Sequence, residues 1–232
     1  MFQDISVELC AGTSEDAKLA LAFPIDRIEL NCALELGGLT PGVSSLRRVK
    51  DMCDLPVVCM VRPRGGDFVY GEELFALMRE EARLLLENGA DGIVFGFLKS
   101  DRTIDLERTA ALAEIAHAYG KTAVFHRAFD EARDPLDAAE TLASLGIDRL
   151  LTSGQKASAL AGSILLAKLI HAFQGRMEIL PGAGIRAENV LETVRTTNTK
   201  WIHLSAGAER PDHTRRFDPD RLSAVLTELK KR

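Results

Sequence analysis

Five polar side chains of the kinds used in acid–base chemistry alternate with apolar residues in short β-prone segments. They are Glu8, Glu29, Arg62, His126 and His203. Successive side chains of a strand point to opposite faces, so each of these would point away from its apolar neighbours. A buried ionisable group needs a partner, a ligand or a metal. The five residues therefore predict a pocket in which a glutamate or His126 transfers protons and Arg62 holds an anion. The alternatives are an internal salt bridge for the glutamates and arginine, and a satisfied core position for each histidine.

Loops that follow these segments carry further candidates for ligand binding. Arg64 lies beside a pair of glycines, and Arg127 follows one of the histidines, so both could bind an anion together with Arg62. Small residues at Gly182, Gly184 and Ser205 could offer backbone N–H groups to a phosphate. The alternative is that these three small residues only allow the chain to form tight turns.

The segments that position these residues repeat eight times. An acidic residue leads into an apolar run at 25–30, 90–95 and 147–152, with a degenerate copy at 199–204, and further apolar runs lie at 5–10, 56–61, 122–126 and 177–180. Helical periodicity occupies 72–87, 106–119, 135–145, 157–173 and 188–196. The pattern predicts one (β/α)₈ barrel, a TIM barrel over residues 1–232, with its site at the C-terminal ends of the strands. A doubly wound open sheet is the competing fold, and the lack of G-x-G-x-x-G after the first strand counts against it.

Composition narrows the classes of function. The formal charge of −5 gives no basic field for a nucleic acid. No apolar run approaches the roughly 20 residues of a membrane span, and the first residues lack a signal-peptide pattern, so we expect a cytoplasmic protein that does not associate with membranes. No lysine falls on an inward strand position, which disfavours a Schiff-base aldolase. A homodimer is expected because that symmetry is the commonest.

Several longer strings resemble the CutC family of copper homeostasis proteins. They are LELGGLTP at 34–41, RPRGGDF at 62–68, FHRAFD at 125–130, LTSG at 151–154 and LPGAG at 180–184. The resemblance covers nearly the whole chain and implies a TIM barrel, a cytoplasmic location and a role in copper handling. It also marks Asp67, Asp130 and Ser153, which lie within these strings, as candidate ligand-binding residues.

The cysteines depart from the family pattern. Members typically read I-E-L-C-S, whereas this chain has Asn31 followed by Cys32, and a shift of one residue on a strand changes the face that a side chain uses. Cys10 is left as the matching inward thiol, with Met60 and His126 as conceivable further copper ligands. Because Cu(I) favours at least two soft ligands, two hypotheses stay open beside copper binding. One is an enzyme acting on a small anionic or phosphorylated molecule, and the other is a barrel that binds such a molecule without turnover.

Overall fold

Eight parallel strands follow one another round a barrel. The structure is a computed structural model that describes residues 5–209 and 215–231. The strands are β1 (Ser6–Ala11), β2 (Arg27–Leu30), β3 (Val57–Met60), β4 (Gly92–Phe95), β5 (Thr122–Phe125), β6 (Arg149–Thr152), β7 (Glu178–Pro181) and β8 (Trp201–Leu204). Each strand from β1 to β6 pairs with its successor, and β8 pairs with β1 and lies beside β7 without pairing with it. The predicted TIM barrel is therefore confirmed, in a nearly closed form.

A helix follows every strand. The helices are α1 (Ser14–Ala20), α2 (Val43–Lys50), α3 (Glu72–Glu87), α4 (Leu106–Ala118), α5 (Pro135–Ser144), α6 (Ser163–Ala172), α7 (Val190–Thr197) and α8 (Pro219–Lys230). Two short 3₁₀ helices, Leu34–Leu36 and Arg127–Glu131, lie in the loops after β2 and β5. A small antiparallel pair, β9 (Gly207–Glu209) and β10 (Arg215–Phe217), precedes α8. The predicted bounds of α3 are confirmed, whereas α6 begins six residues later than its periodicity indicated, because turns occupy that stretch.

Local sequence sets where the helices begin. The side chain of Asp134 accepts hydrogen bonds from the backbone N–H groups of Leu136 and Asp137, and Pro135 occupies the first turn, where its missing N–H costs nothing. Asp218 and Pro219 repeat this arrangement at α8. These two caps fix the residues at which α5 and α8 begin.

The strands separate two apolar layers. Outward side chains such as Ile28, Leu30 and Cys59 pack with the helices in the main core. Inward side chains form a second, small cluster of Val58, Met60, Val94 and Val124 within the barrel. Side chains of β3 alternate between the two layers, since Cys59 lies in the outer and Met60 in the inner one.

Charged groups close the barrel beneath this interior cluster. Arg27 contacts Glu8 and also Glu178, the latter at 2.9 Å, and Arg149 contacts Glu178 at 2.5 Å. Arg149 lies 3.6 Å from Glu8, and the Arg27 guanidinium stacks 3.9 Å above the Trp201 ring. The internal salt bridge that the sequence left open as the alternative for Glu8 is present, with Arg27 as its partner, because strand register places Arg27 beside Glu8.

Among the described residues, no helix is both long and apolar enough to cross a membrane.

Candidate functional site

A cavity of about 580 Å³ opens at the C-terminal ends of the strands. Inward residues of the strands and residues of the loops after β2, β3, β5 and β6 line it. Those that carry polar or sulfur groups are Cys10, Glu29, Asn31, Met60, Arg62, His126, Arg127, Asp130, Glu131, Gln155, Lys156 and His203. Four of the five predicted catalytic residues thus meet in one space, at the end of the barrel that the sequence indicated.

Glu8, the fifth, lies below the cavity and acts on it through His203. Its carboxylate is 1% exposed and accepts a hydrogen bond from Nδ1 of His203 at 2.8 Å. Burial alone would raise the pKa of Glu8, but the hydrogen bond from His203 and the charge of Arg27 hold that pKa at about 2. An ionised, enclosed Glu8 has no contact with a ligand. It fixes the ring of His203 with Nε2 as the nitrogen left for the cavity.

Glu29, Cys10 and His203 form a compact group on the floor of the cavity. The sulfur of Cys10, a carboxylate oxygen of Glu29 and a ring nitrogen of His203 all lie within 4.8 Å of one another. The amide of Asn31 donates to Oε1 of Glu29 at 2.8 Å and to the Cys10 sulfur at 3.4 Å. Oε2 of Glu29 is buried and has no hydrogen-bond partner.

The charges of this group are interdependent. Burial raises the pKa of Glu29, which favours its neutral, protonated form. Burial opposes a charge on His203 as well, but the nearby Glu29 and Glu8 outweigh it and raise the pKa of His203. Glu29 takes up a proton readily, and the adjacent imidazole of His203 can carry one. The pair is therefore suited to proton transfer.

His126 faces the same cavity from β5 as a neutral ring. Burial lowers its pKa to about 3, and the positive charge of Arg62 contributes to this. Its Nδ1 accepts the backbone N–H of Ala128 at 3.1 Å, so the proton of the neutral ring lies on Nε2. Nε2 is buried without a hydrogen-bond partner. Gly96 makes room for this ring, since a Cβ there would lie 2.4 Å from Nδ1.

Arg62 ties down the loops that cover the cavity. Its guanidinium donates to the carbonyls of Leu36 at 3.2 Å, Gly38 at 3.4 Å and Gly66 at 2.9 Å, and it lies 4.9 Å from the centre of the Phe68 ring. The predicted role of Arg62 in holding an anion is thus joined by a structural one. Its Nε is buried and has no hydrogen-bond partner, so this N–H is the donor that a bound anion would satisfy.

Asp130 organises the rim on the β5 and β6 side. Its carboxylate accepts from the Thr152 hydroxyl at 2.6 Å, from the backbone and hydroxyl of Ser153, and from the backbone N–H of Gln155. Arg127 donates to it at 2.8 Å. Asp130 and Ser153 were predicted to bind a ligand, and the structure shows them shaping the loop. Arg127 keeps a side chain that is 46% exposed at the edge of the cavity.

A second cavity of about 470 Å³ adjoins the first, between the loops after β7 and β8. Gly184 and Ser205 line it, whereas Gly182 does not. The N–H of Gly182 donates to the carbonyl of Thr152 at 3.0 Å, and a Cβ there would lie 2.6 Å from Cδ1 of Leu151 and 3.3 Å from Cδ2 of His203. Of the three residues predicted to hold a phosphate, two therefore face this space, and Gly182 instead leaves room for the side chain of Leu151.

Arg64 and Asp67 lie apart from both cavities. They form an ion pair of 2.7 Å within the loop after β3, and Arg64 also lies 4.8 Å from the centre of the Tyr70 ring. The sequence did not single out Asn31, Gln155 or Lys156 as site residues. The alternation of β2 places Asn31 inward and was a usable signal, but the loop positions of the other two carried none.

Comparison with known proteins identifies the family. A model of the CutC family matches residues 5–208. The chain belongs to the CutC family. The family protein CutC of Treponema denticola is 46% identical over 94% of this chain and 87% of its own length, and that of Vibrio vulnificus is 41% identical over 88% and 82%. The structure of a proposed copper homeostasis protein CutC from Streptococcus agalactiae superposes with a TM-score of 0.79 at 30% identity, covering 87% of this chain and 98% of that one. The resemblance inferred from the sequence strings is confirmed.

The name of that protein implies copper handling, and copper binding would require suitable ligand atoms in the cavity of this CutC chain. Cys10 is the one cysteine that lines the cavity. Cys32 donates to the carbonyl of Thr40 at 3.1 Å, and the remaining two cysteines pack with the outer core. His126 is less suited to join Cys10 as a copper ligand, because its Nδ1 accepts a backbone N–H and the proton of the neutral ring then lies on Nε2. The donors that fit a soft cation are Cys10 and His203, with Met60 in the same cavity.

Proposed function

We propose that the barrel binds a small hydroxycarbonyl compound in the 580 Å³ cavity and acts on it by acid–base chemistry. One observation carries this proposal. Oε2 of Glu29 and Nε2 of His126 are buried polar atoms without hydrogen-bond partners, and both residues line the cavity. Buried polar groups are nearly always satisfied, so such atoms indicate a ligand that completes them.

The two atoms require different functional groups in the ligand. Nε2 of His126 carries a proton and donates, so it matches a carbonyl oxygen. The carboxyl of Glu29 exchanges a proton, so it matches a hydroxyl group or an acidic C–H next to the carbonyl. A carbonyl compound with a hydroxyl on the adjacent carbon offers both groups at a short distance from each other.

The roles follow from the charges. A neutral imidazole that donates a hydrogen bond polarises a carbonyl without giving up its proton, which stabilises a developing enolate. Glu29 removes or returns the proton on the neighbouring carbon, and His203 relays it, since both are held within 4.8 Å of each other. Asn31 fixes the orientation of Glu29.

An anionic group of the ligand would extend toward the second cavity. Arg127 lines both cavities and carries a half-exposed guanidinium, and Gly184 and Ser205 lie beyond it. A terminal phosphate or carboxylate next to the hydroxycarbonyl group is therefore part of the proposed substrate class.

Calorimetric titration with glycolaldehyde, dihydroxyacetone and their phosphates tests the proposal. We expect one of them to bind the wild-type protein, with affinity reduced at least about tenfold in His126→Phe, which removes the donor from the pocket. The matched control is His117→Phe, because His117 lies on the outer surface beside Asp148. Equal affinities in the two variants, or no binding of any of the four compounds, would contradict the proposal.

Copper binding is the second candidate, favoured by the cluster of Cys10, Glu29 and His203. Here Cu(I) is cargo held by the sulfur of Cys10 and Nε2 of His203, with Nδ1 secured by Glu8 as in many histidine metal sites. Competition against a Cu(I) chelator tests it. Stoichiometric binding that is lost in Cys10→Ala and kept in Cys53→Ala supports this candidate. A cytoplasmic location and a homodimer stay predictions.

A further inference from the structure

We infer that Cys10 is a nucleophile that adds to the carbonyl carbon of the ligand. The inference rests on the proposed function for the class of ligand, but its main test needs no ligand. It concerns a covalent step that acid–base chemistry alone does not require.

The geometry has the three parts of an activated nucleophile. Cys10 supplies the sulfur, His203 lies within 4.8 Å as the base, and Glu8 holds His203 through Nδ1 at 2.8 Å. This order of nucleophile, base and orienting carboxylate is the general arrangement by which a thiol or hydroxyl is activated.

Two further groups support the addition to a carbonyl. The Asn31 amide donates to the sulfur at 3.4 Å and so holds the attacking atom in place. Across the cavity, the buried Nε2–H of His126 has no partner within the protein. A donor placed there would stabilise the oxyanion formed when a carbonyl is attacked.

The other cysteines lack this environment. The thiols of Cys32 and Cys53 donate to backbone carbonyls at 3.1 and 3.6 Å, respectively. Cys59 is fully buried among the helices, and burial raises its pKa. All four are thiols rather than disulfides. Reactivity is therefore expected to be confined to Cys10.

The step is an addition without a leaving group. The sulfur of Cys10 forms a bond to the carbonyl carbon, and the π pair moves to the oxygen. The thiol proton passes to Nε2 of His203 and from there to that oxygen. The product is a thiohemiacetal or thiohemiketal, which reverses by the same path and needs no oxidant or reductant.

Alkylation by limiting iodoacetamide, followed by mass spectrometry of the peptides, tests the inference. Cys53 is the internal control, because it is a partly exposed thiol of the same chain. We expect Cys10 to react at least about tenfold faster than Cys53, as activated thiols do. His203→Gln should bring the two rates together. Equal rates in the wild-type protein would overturn the inference, as would an unchanged Cys10 rate in a folded His203→Gln variant.

A spectroscopic measurement on unmodified protein gives an independent check. Glycolaldehyde labelled with ¹³C at the carbonyl should give a new resonance of a tetrahedral carbon bound to oxygen and sulfur, absent in Cys10→Ser. Binding of glycolaldehyde to both proteins without this resonance would overturn the covalent step and leave the proposed function standing. Loss of binding in His126→Phe concerns the proposed function alone.

Discussion

Nδ1 of His126 accepts the backbone N–H of Ala128 at 3.1 Å, and this one bond fixes what the ring can do. The proton is left on Nε2, where the ring is a donor and cannot bind a metal. The arrangement arises locally, because His126 caps the 3₁₀ helix that follows β5. The position of a single proton therefore favours carbonyl recognition over metal binding at this side of the cavity.

Acidification is expected to destabilise the protein through His126. Its pKa is about 3 in the folded protein, against 6.5 in an unfolded chain, so below pH 6.5 the unfolded state binds the extra proton. The contribution of His126 to the free energy of unfolding should fall by about 2 kcal/mol between pH 6.5 and pH 5, whereas His203, with its raised pKa, contributes in the opposite direction. Urea denaturation at both pH values measures this. In His126→Asn the fall should be smaller, and an identical fall in both proteins would show that the folded ring takes up a proton.

Gly96→Ala should disrupt the site through its close approach to His126. The added Cβ would lie 2.4 Å from Nδ1 and 2.9 Å from the Cβ of Ala128, so the ring must move. We expect a loss of about 1 to 3 kcal/mol in stability and of most ligand affinity. Gly71→Ala is the control, because a Cβ there meets no atom within 4 Å. Calorimetry and thermal denaturation compare the two, and equal behaviour would contradict the described packing.

Glu8→Gln should be strongly destabilising. The substitution leaves the charges of the buried Arg27 and Arg149 to Glu178, so that one positive charge of the network loses its counter-charge, which costs about 3 kcal/mol. Glu140→Gln also removes one partner of an ion pair, that with Arg176, but both of its side chains are about half exposed, so we expect a far smaller effect. Denaturant titration of the two variants checks the difference. Similar losses would mean that the buried network is not an important source of stability.

Asp130→Asn should loosen the rim of the cavity. A carboxylate accepts all the hydrogen bonds that Ser153, Gln155 and Arg127 donate to it, whereas an amide offers one acceptor and a donor that faces other donors. Amide hydrogen exchange should accelerate at residues 153–155. Asp67→Asn removes an exposed carboxylate from another loop and should leave those amides protected. Unchanged exchange in Asp130→Asn would contradict the assigned role.

Periodicity predicted the site where it lies on strands and not where it lies on loops. Glu29 and His203 alternate with apolar neighbours, and a period of two is enough to place them inside the barrel. Arg27 occupies the same face as Glu29, but its importance depends on Glu178, which is 151 residues away and comes near only when the barrel closes. The role of Asp130 depends on how a loop folds back on it, which no local pattern encodes. The tautomer of His126 likewise depends on the hydrogen bond that its Nδ1 accepts, which the residue type alone does not reveal.

The most direct measurement is the ¹⁵N–¹H spectrum of the histidine rings during titration with glycolaldehyde phosphate. The free protein should show His126 as the Nε2–H tautomer at pH 7. Addition of the ligand should shift that proton downfield as it donates to the carbonyl, and the same titration of Cys10→Ser should keep this shift. A His126 resonance that is unaffected by every hydroxycarbonyl compound, together with a Cys10-dependent response to Cu(I), would contradict the proposed function and leave metal binding as the role of the cavity.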